Sequence, residues 1–158
     1  MNESERLAHE ITKALNGGAW HGPSWREALD GVSRDGALQH PIPEAHSIAE
    51  VLLHAVAWHD IVRRRLQGET PQEPPDEENW PKPVLPDDAA WEATCERLFA
   101  TGEALVAVVA KFPPERLYEK RPNLDTTWYE LVSGGLQHVL YHAGQVSVLK
   151  KARVGAAV

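Results

Sequence analysis

Apolar residues recur at helical spacing in four stretches of the chain, and no stretch alternates apolar and polar residues convincingly as a half-buried strand would. The first stretch has apolar residues at i, i+4, i+7 and i+8: Leu7, Ile11, Ala14 and Leu15. Glu3 and Glu5 precede it and Gly17 follows it, so the pattern predicts a short amphipathic helix. Residues 19–46 carry scattered Gly and Pro and are predicted to be connecting structure, with a short helix over 24–29.

The second helix is predicted to start at Ser47, because Ser47 and Glu50 can satisfy each other's free backbone N–H groups as a capping box. It should run to about Leu66. Its interior, residues 51–58, is apolar on nearly all sides, which favours a central place in the fold. Residues 68–86 then hold six of the twelve prolines. Such a segment is predicted to be a long loop between the second and third helices.

The third helix is predicted after Asp87, with large apolar residues at every seventh position: Trp91, Leu98, Leu105 and Phe112. A period of 3.5 residues suits antiparallel bundle packing, and a pair of prolines ends the helix. A second capping box, Thr127 with Glu130, predicts a fourth helix that runs to about Lys151. Four helices predict an all-α four-helix bundle, and the length suits one domain, residues 1–158.

The acidic excess of the chain is concentrated in one segment. Acidic residues outnumber basic ones by 23 to 16, and residues 69–88 alone carry seven acids against one base. This pattern is typical of a solvated loop and indicates neither a nucleic-acid partner nor an anionic membrane. The start, MNESERLAHE, lacks the basic and apolar regions of a secretory signal, and no aliphatic run is long enough to span a membrane. We therefore expect a cytoplasmic protein.

Histidine is the residue type most suited to carry chemistry here, since the chain has eight histidines and one cysteine. The lone Cys95 excludes an internal disulfide and the cysteine-rich zinc motifs, so a protein-bound metal would take histidine and carboxylate ligands. His138 and His142 lie four residues apart on the inward stripe of the fourth helix, beside Gly135. This spacing presents two imidazoles to one metal ion. The same spacing also occurs between packed core or surface histidines.

One or two further ligands would come from another helix, and the second helix offers His54 and His59. His59 lies on the apolar stripe of that helix and His54 lies nearer its edge, and spacing alone does not choose between them. For the other four histidines the pattern indicates no ligand role: His9, His21, His40 and His46. Trp58 and Trp80 are candidates for the wall of a pocket.

Two sequence patterns together resemble one known family. They are HSIAEVLLHAVAWHD on the second helix, residues 46–60, and LQHVLYHAGQVSVLKKA on the fourth, residues 136–152. In these patterns the chain resembles the DinB-like (DinB/YfiT) superfamily of metal-binding four-helix-bundle proteins. The resemblance implies that the metal ligands are His54, His138 and His142, and that the ion is a divalent metal, zinc or nickel. Three facial imidazoles leave coordination positions open for water or substrate, as catalytic sites do.

The better understood members of this superfamily resemble thiol transferases, in which a low-molecular-weight thiol such as bacillithiol or mycothiol adds to an electrophile. We therefore predict a thiol-dependent S-transferase that acts on small-molecule electrophiles. Gln145 and Tyr141 are candidates to accept the free ring N–H of a ligand. One alternative is a metal-dependent hydrolase that uses metal-bound water, and another is a non-catalytic metal-binding protein. Bundles of this size often form dimers, and the aliphatic third helix is the candidate interface of a homodimer.

Overall fold

Seven α-helices build the part of the chain that the structure, a computed structural model, describes, which is residues 1–69 and 73–154. In chain order they are α1 (Glu3–Asn16), α2 (Trp25–Leu29), α3 (Arg34–Leu38), α4 (Ile48–Leu66), α5 (Asp76–Asn79), α6 (Asp88–Lys111) and α7 (Trp128–Val154). A 3-10 turn, Pro114–Arg116, follows α6. These described residues form no β-strand, which confirms the predicted all-α class.

The four long helices pack as a bundle. Helix α1 contacts α6 and α7, and α4 contacts the same two helices, so each long helix has two long neighbours. The predicted four-helix bundle is confirmed, and α1, α4, α6 and α7 lie close to the four predicted stretches. None of the helices within residues 1–69 and 73–154 is long and apolar enough to cross a membrane.

Both predicted capping boxes are formed. At the start of α4 the Ser47 N–H donates to the Glu50 carboxylate over 2.7 Å, and the Glu50 N–H donates to the Ser47 hydroxyl over 3.2 Å. The Thr127 N–H and the Glu130 N–H make the matching pair at the start of α7, over 2.6 and 3.2 Å. Each box satisfies backbone donors that a helix terminus otherwise leaves unpaired, so α4 and α7, the helices that carry the candidate site, have well-defined starts.

The seven-residue repeat of α6 forms one side of the core. All of its members are buried: Trp91, Leu98, Leu105 and Phe112. Gly102 lies between them, and a Cβ atom at this position would come within 2.6 Å of the Cδ1 atom of Leu15 on α1. Because Leu15 is itself fully buried, glycine at this position allows α1 and α6 to pack closely.

The connection between α1 and α4 packs on the bundle. Helix α2 matches the predicted short helix, and its Trp25 is fully buried with the indole N–H donating to the Val139 carbonyl of α7 over 2.9 Å. Helix α3 was not predicted. Trp91 of α6 donates to the Val32 carbonyl just before α3, also over 2.9 Å. Two buried indoles therefore fasten this connection to two of the long helices.

The acidic, proline-rich segment between α4 and α6 contains a short helix that the prediction of a long loop did not include. Residues 70–72 of it lie outside the described residues, but the remainder contains the single turn of α5. Leu85 packs against the core, and Trp80 packs on the face of a histidine of α4. The segment therefore approaches the candidate site directly.

Candidate metal centre

Three histidines from two helices meet at one point of the bundle. Each of His54, His138 and His142 offers one ring nitrogen, and these three nitrogens all lie within 4.8 Å of one another. The Nε2 atom of His138 is 3.0 Å from Nε2 of His54 and 3.0 Å from Nε2 of His142. The fold thus brings together the three residues that the sequence resemblance singled out, which were the first choice among the predicted ligands.

Two of these rings donate a hydrogen bond from Nδ1, the ring nitrogen that does not face the other two histidines. The Nδ1 atom of His54 lies 2.6 Å from the backbone carbonyl oxygen of Asn79, and Nδ1 of His142 lies 2.7 Å from the Oε1 atom of Gln145. Both partners are acceptors, so each Nδ1 carries the ring proton. In the neutral rings, Nε2 of His54 and Nε2 of His142 therefore present lone pairs toward the centre.

This arrangement fits a metal ion. Nε2 of His138 can donate a proton to only one of its two neighbours, which leaves the lone pair of the other neighbour without a donor. A cation removes that conflict. Two nitrogens that bind one ion at about 2.1 Å and at right angles are about 3.0 Å apart, which is the separation found at both contacts of His138. The buried three-histidine cluster is therefore compatible with binding of a divalent metal.

Burial keeps the cluster neutral. It lowers the pKa of His138 to about 3 and the pKa of His142 to about 4, with smaller contributions from the neighbouring imidazoles. Burial also lowers the pKa of His54. Neutral imidazole is the form that binds metal, so the three rings are ready to coordinate an ion at neutral pH without first losing a proton.

The segment around α5 supplies the environment of His54. Trp80 stacks on the His54 ring with centroids 3.9 Å apart, and His46 stacks on Trp80 with centroids 3.7 Å apart. The Asn79 side chain accepts the indole N–H of Trp58 over 2.9 Å. Asn79 therefore contacts His54 through its backbone and Trp58 through its side chain, which holds the imidazole and the indole in fixed relative positions.

Gln145 accepts the Nδ1–H of His142, which confirms the prediction that it accepts a free ring N–H. It lies one turn after His142, and its Nε2 atom donates to the Tyr141 hydroxyl over 3.1 Å. Tyr141 itself is exposed, and its hydroxyl bonds Gln145 rather than an imidazole. Tyr141, Gln145 and His142 thus form a short hydrogen-bonded chain from the surface to the cluster.

His59, the second candidate on α4, lies apart from the cluster. It is buried against α6, where its Nδ1 atom is 3.3 Å from the Thr101 hydroxyl. The apolar stripe of α4 therefore faces α6, whereas His54 at the edge of that stripe faces α5 and α7. Burial lowers the pKa of His59 to about 4.

The sequence pattern predicted no ligand role for His46. In the structure His46 covers Trp80, and both His46 and His40 approach the Glu50 carboxylate, at 3.6 and 3.1 Å. The signal that could have drawn attention to His46 is its place immediately before the capping box of α4. His9 and His21 are exposed and stay outside the site, as predicted.

A sequence model described as the DinB superfamily matches residues 20–146, which includes α2 to α6, most of α7 and all three histidines of the cluster. No curated protein and no solved structure matches the chain.

Proposed function

The chain belongs to the DinB superfamily, and from that membership and the buried histidine cluster we propose that it is a divalent-metal-dependent enzyme, a thiol-dependent S-transferase acting on small electrophiles. The observation that carries the proposal is the convergence of three ring nitrogens, with the His54 ring held by Asn79 and the His142 ring held by Gln145. Three neutral imidazoles suit zinc and nickel, which are the metals proposed here.

The proposed role of the chain is to hold the ion and leave part of its coordination sphere to the substrates. His54, His138 and His142 would supply three ligands, fewer than either metal takes, so a small molecule can bind beside them. When bound, the ion supplies positive charge that lowers the pKa of a coordinating thiol and so provides thiolate at neutral pH. Trp58 and Trp80 lie against the rings and limit access of water to them.

A hydrolase is the second candidate, because one carboxylate, Glu130, lines the same cavity as His138. That carboxylate is already engaged, since its Oε2 atom accepts the Thr127 N–H over 2.6 Å and the Thr127 hydroxyl over 2.9 Å. These bonds lower the pKa of Glu130 and make it a weak base. Its engagement as a helix cap therefore favours the thiol reaction over hydrolysis.

Metal content is the first test. We expect the protein purified without chelator, or reloaded with Zn²⁺ or Ni²⁺, to hold one ion per chain by elemental analysis. The double variant His138→Ala/His142→Ala should hold none, and the control His9→Ala, at an exposed position of α1, should match the unaltered protein. An unaltered protein that cannot be loaded with either metal would contradict the proposal.

Conjugation activity is the second test. The metal-loaded protein is mixed with bacillithiol, mycothiol or glutathione and an electrophile such as monobromobimane, and thioether formation is measured. We expect a rate above the uncatalysed reaction that is lost in His54→Ala and kept in His9→Ala. Hydrolysis of a model ester without added thiol would favour the second candidate, and a protein that binds metal and accelerates neither reaction would be a non-catalytic metal-binding protein.

A further inference from the structure

A cavity of about 230 Å³ lies beside the histidine cluster. Residues of α4, α6 and α7 line it together with residues 121 and 126 of the connection before α7, and His138 is one of its walls. Its apolar walls come from Val62, Leu105 and Leu131. A cavity of this size suits a small molecule, and its contact with His138 places such a molecule next to the proposed metal.

The cavity also carries two cationic side chains. Arg65 is 9% exposed and lies with its guanidinium 5.6 Å from the centre of the Trp58 ring. Arg121 donates from Nε and Nη2 to the Thr126 hydroxyl, over 3.2 and 2.9 Å, while its buried Nη1 atom has no hydrogen-bond partner. Burial and the charge of Arg65 lower the pKa of Arg121. Among the described lining residues the one carboxylate is Glu130, which caps α7.

A second polar atom at the cavity lacks a partner. His59 is 1% exposed and lines the cavity, and its Nε2 atom has no hydrogen-bond partner. Its Nδ1 atom bonds Thr101, whose hydroxyl already donates to the backbone carbonyls of Arg97 and Leu98, over 2.9 and 3.1 Å. The His59 proton is therefore on Nδ1, and Nε2 is an acceptor. Buried polar atoms without partners are uncommon, so Nη1 of Arg121 and Nε2 of His59 together indicate a polar ligand.

Two consecutive glycines keep the cavity open. Gly134 and Gly135 lie within α7, where glycine destabilises a helix relative to alanine. A Cβ atom at Gly134 would meet nothing within 4 Å, and one at Gly135 would meet only the Val62 methyl groups, at an ordinary 3.6 Å. Protein packing therefore does not require glycine at either position.

We propose that this cavity binds the electrophilic substrate, a small molecule with an apolar body and a carboxylate that pairs with Arg121. The role of this molecule as the electrophile rests on the proposed function, whereas the binding site itself does not. A carboxylate matches the planar guanidinium fork of Arg121 and gives its Nη1 atom the missing acceptor. A hydroxyl or amide N–H on the body of the substrate would satisfy Nε2 of His59.

The test compares a charged probe with a neutral probe of the same shape, benzoate and benzamide. Their affinities for the zinc-loaded protein are measured by calorimetry. We expect Arg121→Gln to weaken benzoate about tenfold or more, since charge-assisted hydrogen bonds are lost, and to leave benzamide unchanged. Arg121→Lys keeps the charge without the fork and should weaken benzoate to a smaller extent. Arg97→Gln makes the same charge change at an exposed position of α6 and should alter neither affinity.

A second pair of variants tests the shape of the cavity. Gly135→Ala adds a methyl group to the wall and should weaken both probes, by about fivefold or more. Gly144→Ala makes the same change elsewhere on α7, where a Cβ meets nothing within 4 Å, and should weaken neither.

Repeating the titration on protein treated with EDTA separates this proposal from the proposed function. If benzoate binding still depends on Arg121 in the absence of metal, the proposed carboxylate site in the cavity is supported, even if no metal-dependent reaction is found. Benzoate affinity that is equal in Arg121→Gln and the unaltered protein, or that requires only the metal, would overturn the proposal. Failure of both probes to bind would overturn it as well.

Discussion

The hydrogen bond between His142 and Gln145 should decide how tightly the site holds its metal. Gln145→Leu removes the acceptor of the His142 N–H, which lies 2.7 Å away, and keeps a side chain of similar size. In the metal-free protein the His142 ring can move its proton to Nε2 and share it with His138. In the metal-bound protein Nε2 is occupied, so the proton stays on Nδ1 without a partner.

Loss of this acceptor therefore destabilises the metal-bound form and not the metal-free form. The His142 ring is 4% exposed, and a buried N–H without a partner costs about 1–3 kcal/mol. The affinity for Zn²⁺ should consequently fall by about tenfold to a hundredfold in Gln145→Leu, while the free energy of unfolding of the metal-free protein changes little. Gln145→Glu keeps an acceptor and adds negative charge, so its affinity should equal or exceed that of the unaltered protein.

The assay is competition for Zn²⁺ against a chromophoric chelator at pH 7. Gln137→Leu is the matched control, because Gln137 is exposed on the same helix. We expect its affinity to equal that of the unaltered protein. A Gln145→Leu variant that competes for zinc as well as this control would refute the reasoning, because the ring N–H would then not need its acceptor.

Three further results are expected. Burial holds the pKa of His59 at about 4 in the folded protein, against 6.5 for an ordinary histidine. Between these two values the unfolded chain binds the proton more readily than the folded protein, so acid favours unfolding. Up to about 3 kcal/mol of unfolding free energy should be lost as the pH falls toward 4, and urea unfolding of the metal-free protein should show a shallower pH dependence in His59→Gln. Ser47→Ala removes the cap of α4 and should lower the free energy of unfolding by about 1 kcal/mol in the same assay, and an unchanged value would contradict the role of the cap. Trp80→Ala removes the ring stacked on His54 and should speed the release of zinc to EDTA about twofold to tenfold, and a release rate equal to that of the unaltered protein would argue against shielding.

The long helices could be predicted because their signals are local. The capping boxes of α4 and α7 depend on residues three positions apart, and the seven-residue repeat of α6 is visible in any short window. Helix α3 has only five residues, and its start depends on one bond from the Gly36 N–H to the Ser33 hydroxyl. So short a helix presents no periodic face, and its existence depends on packing against α4.

The candidate site could be predicted only in part. The His138 and His142 pair is a local pattern on one helix, whereas the choice between His54 and His59 depends on which neighbour packs on which side of α4. Spacing places His59 on the most apolar stripe of α4, and that stripe faces α6, where His59 packs. The position of Trp80 over His54 depends on the course of the acidic segment, for which no local pattern exists.

The acceptor for the His54 ring proton is a main-chain oxygen, and this affects how the site responds to mutation. A substitution at Asn79 can remove the side-chain bond to Trp58, but it leaves the carbonyl that receives the His54 N–H. Alanine scanning would therefore undervalue this contact. Insertions and deletions in residues 68–86 would move the carbonyl itself, so we expect changes of length in the acidic segment to disturb the histidine cluster more than changes of residue do.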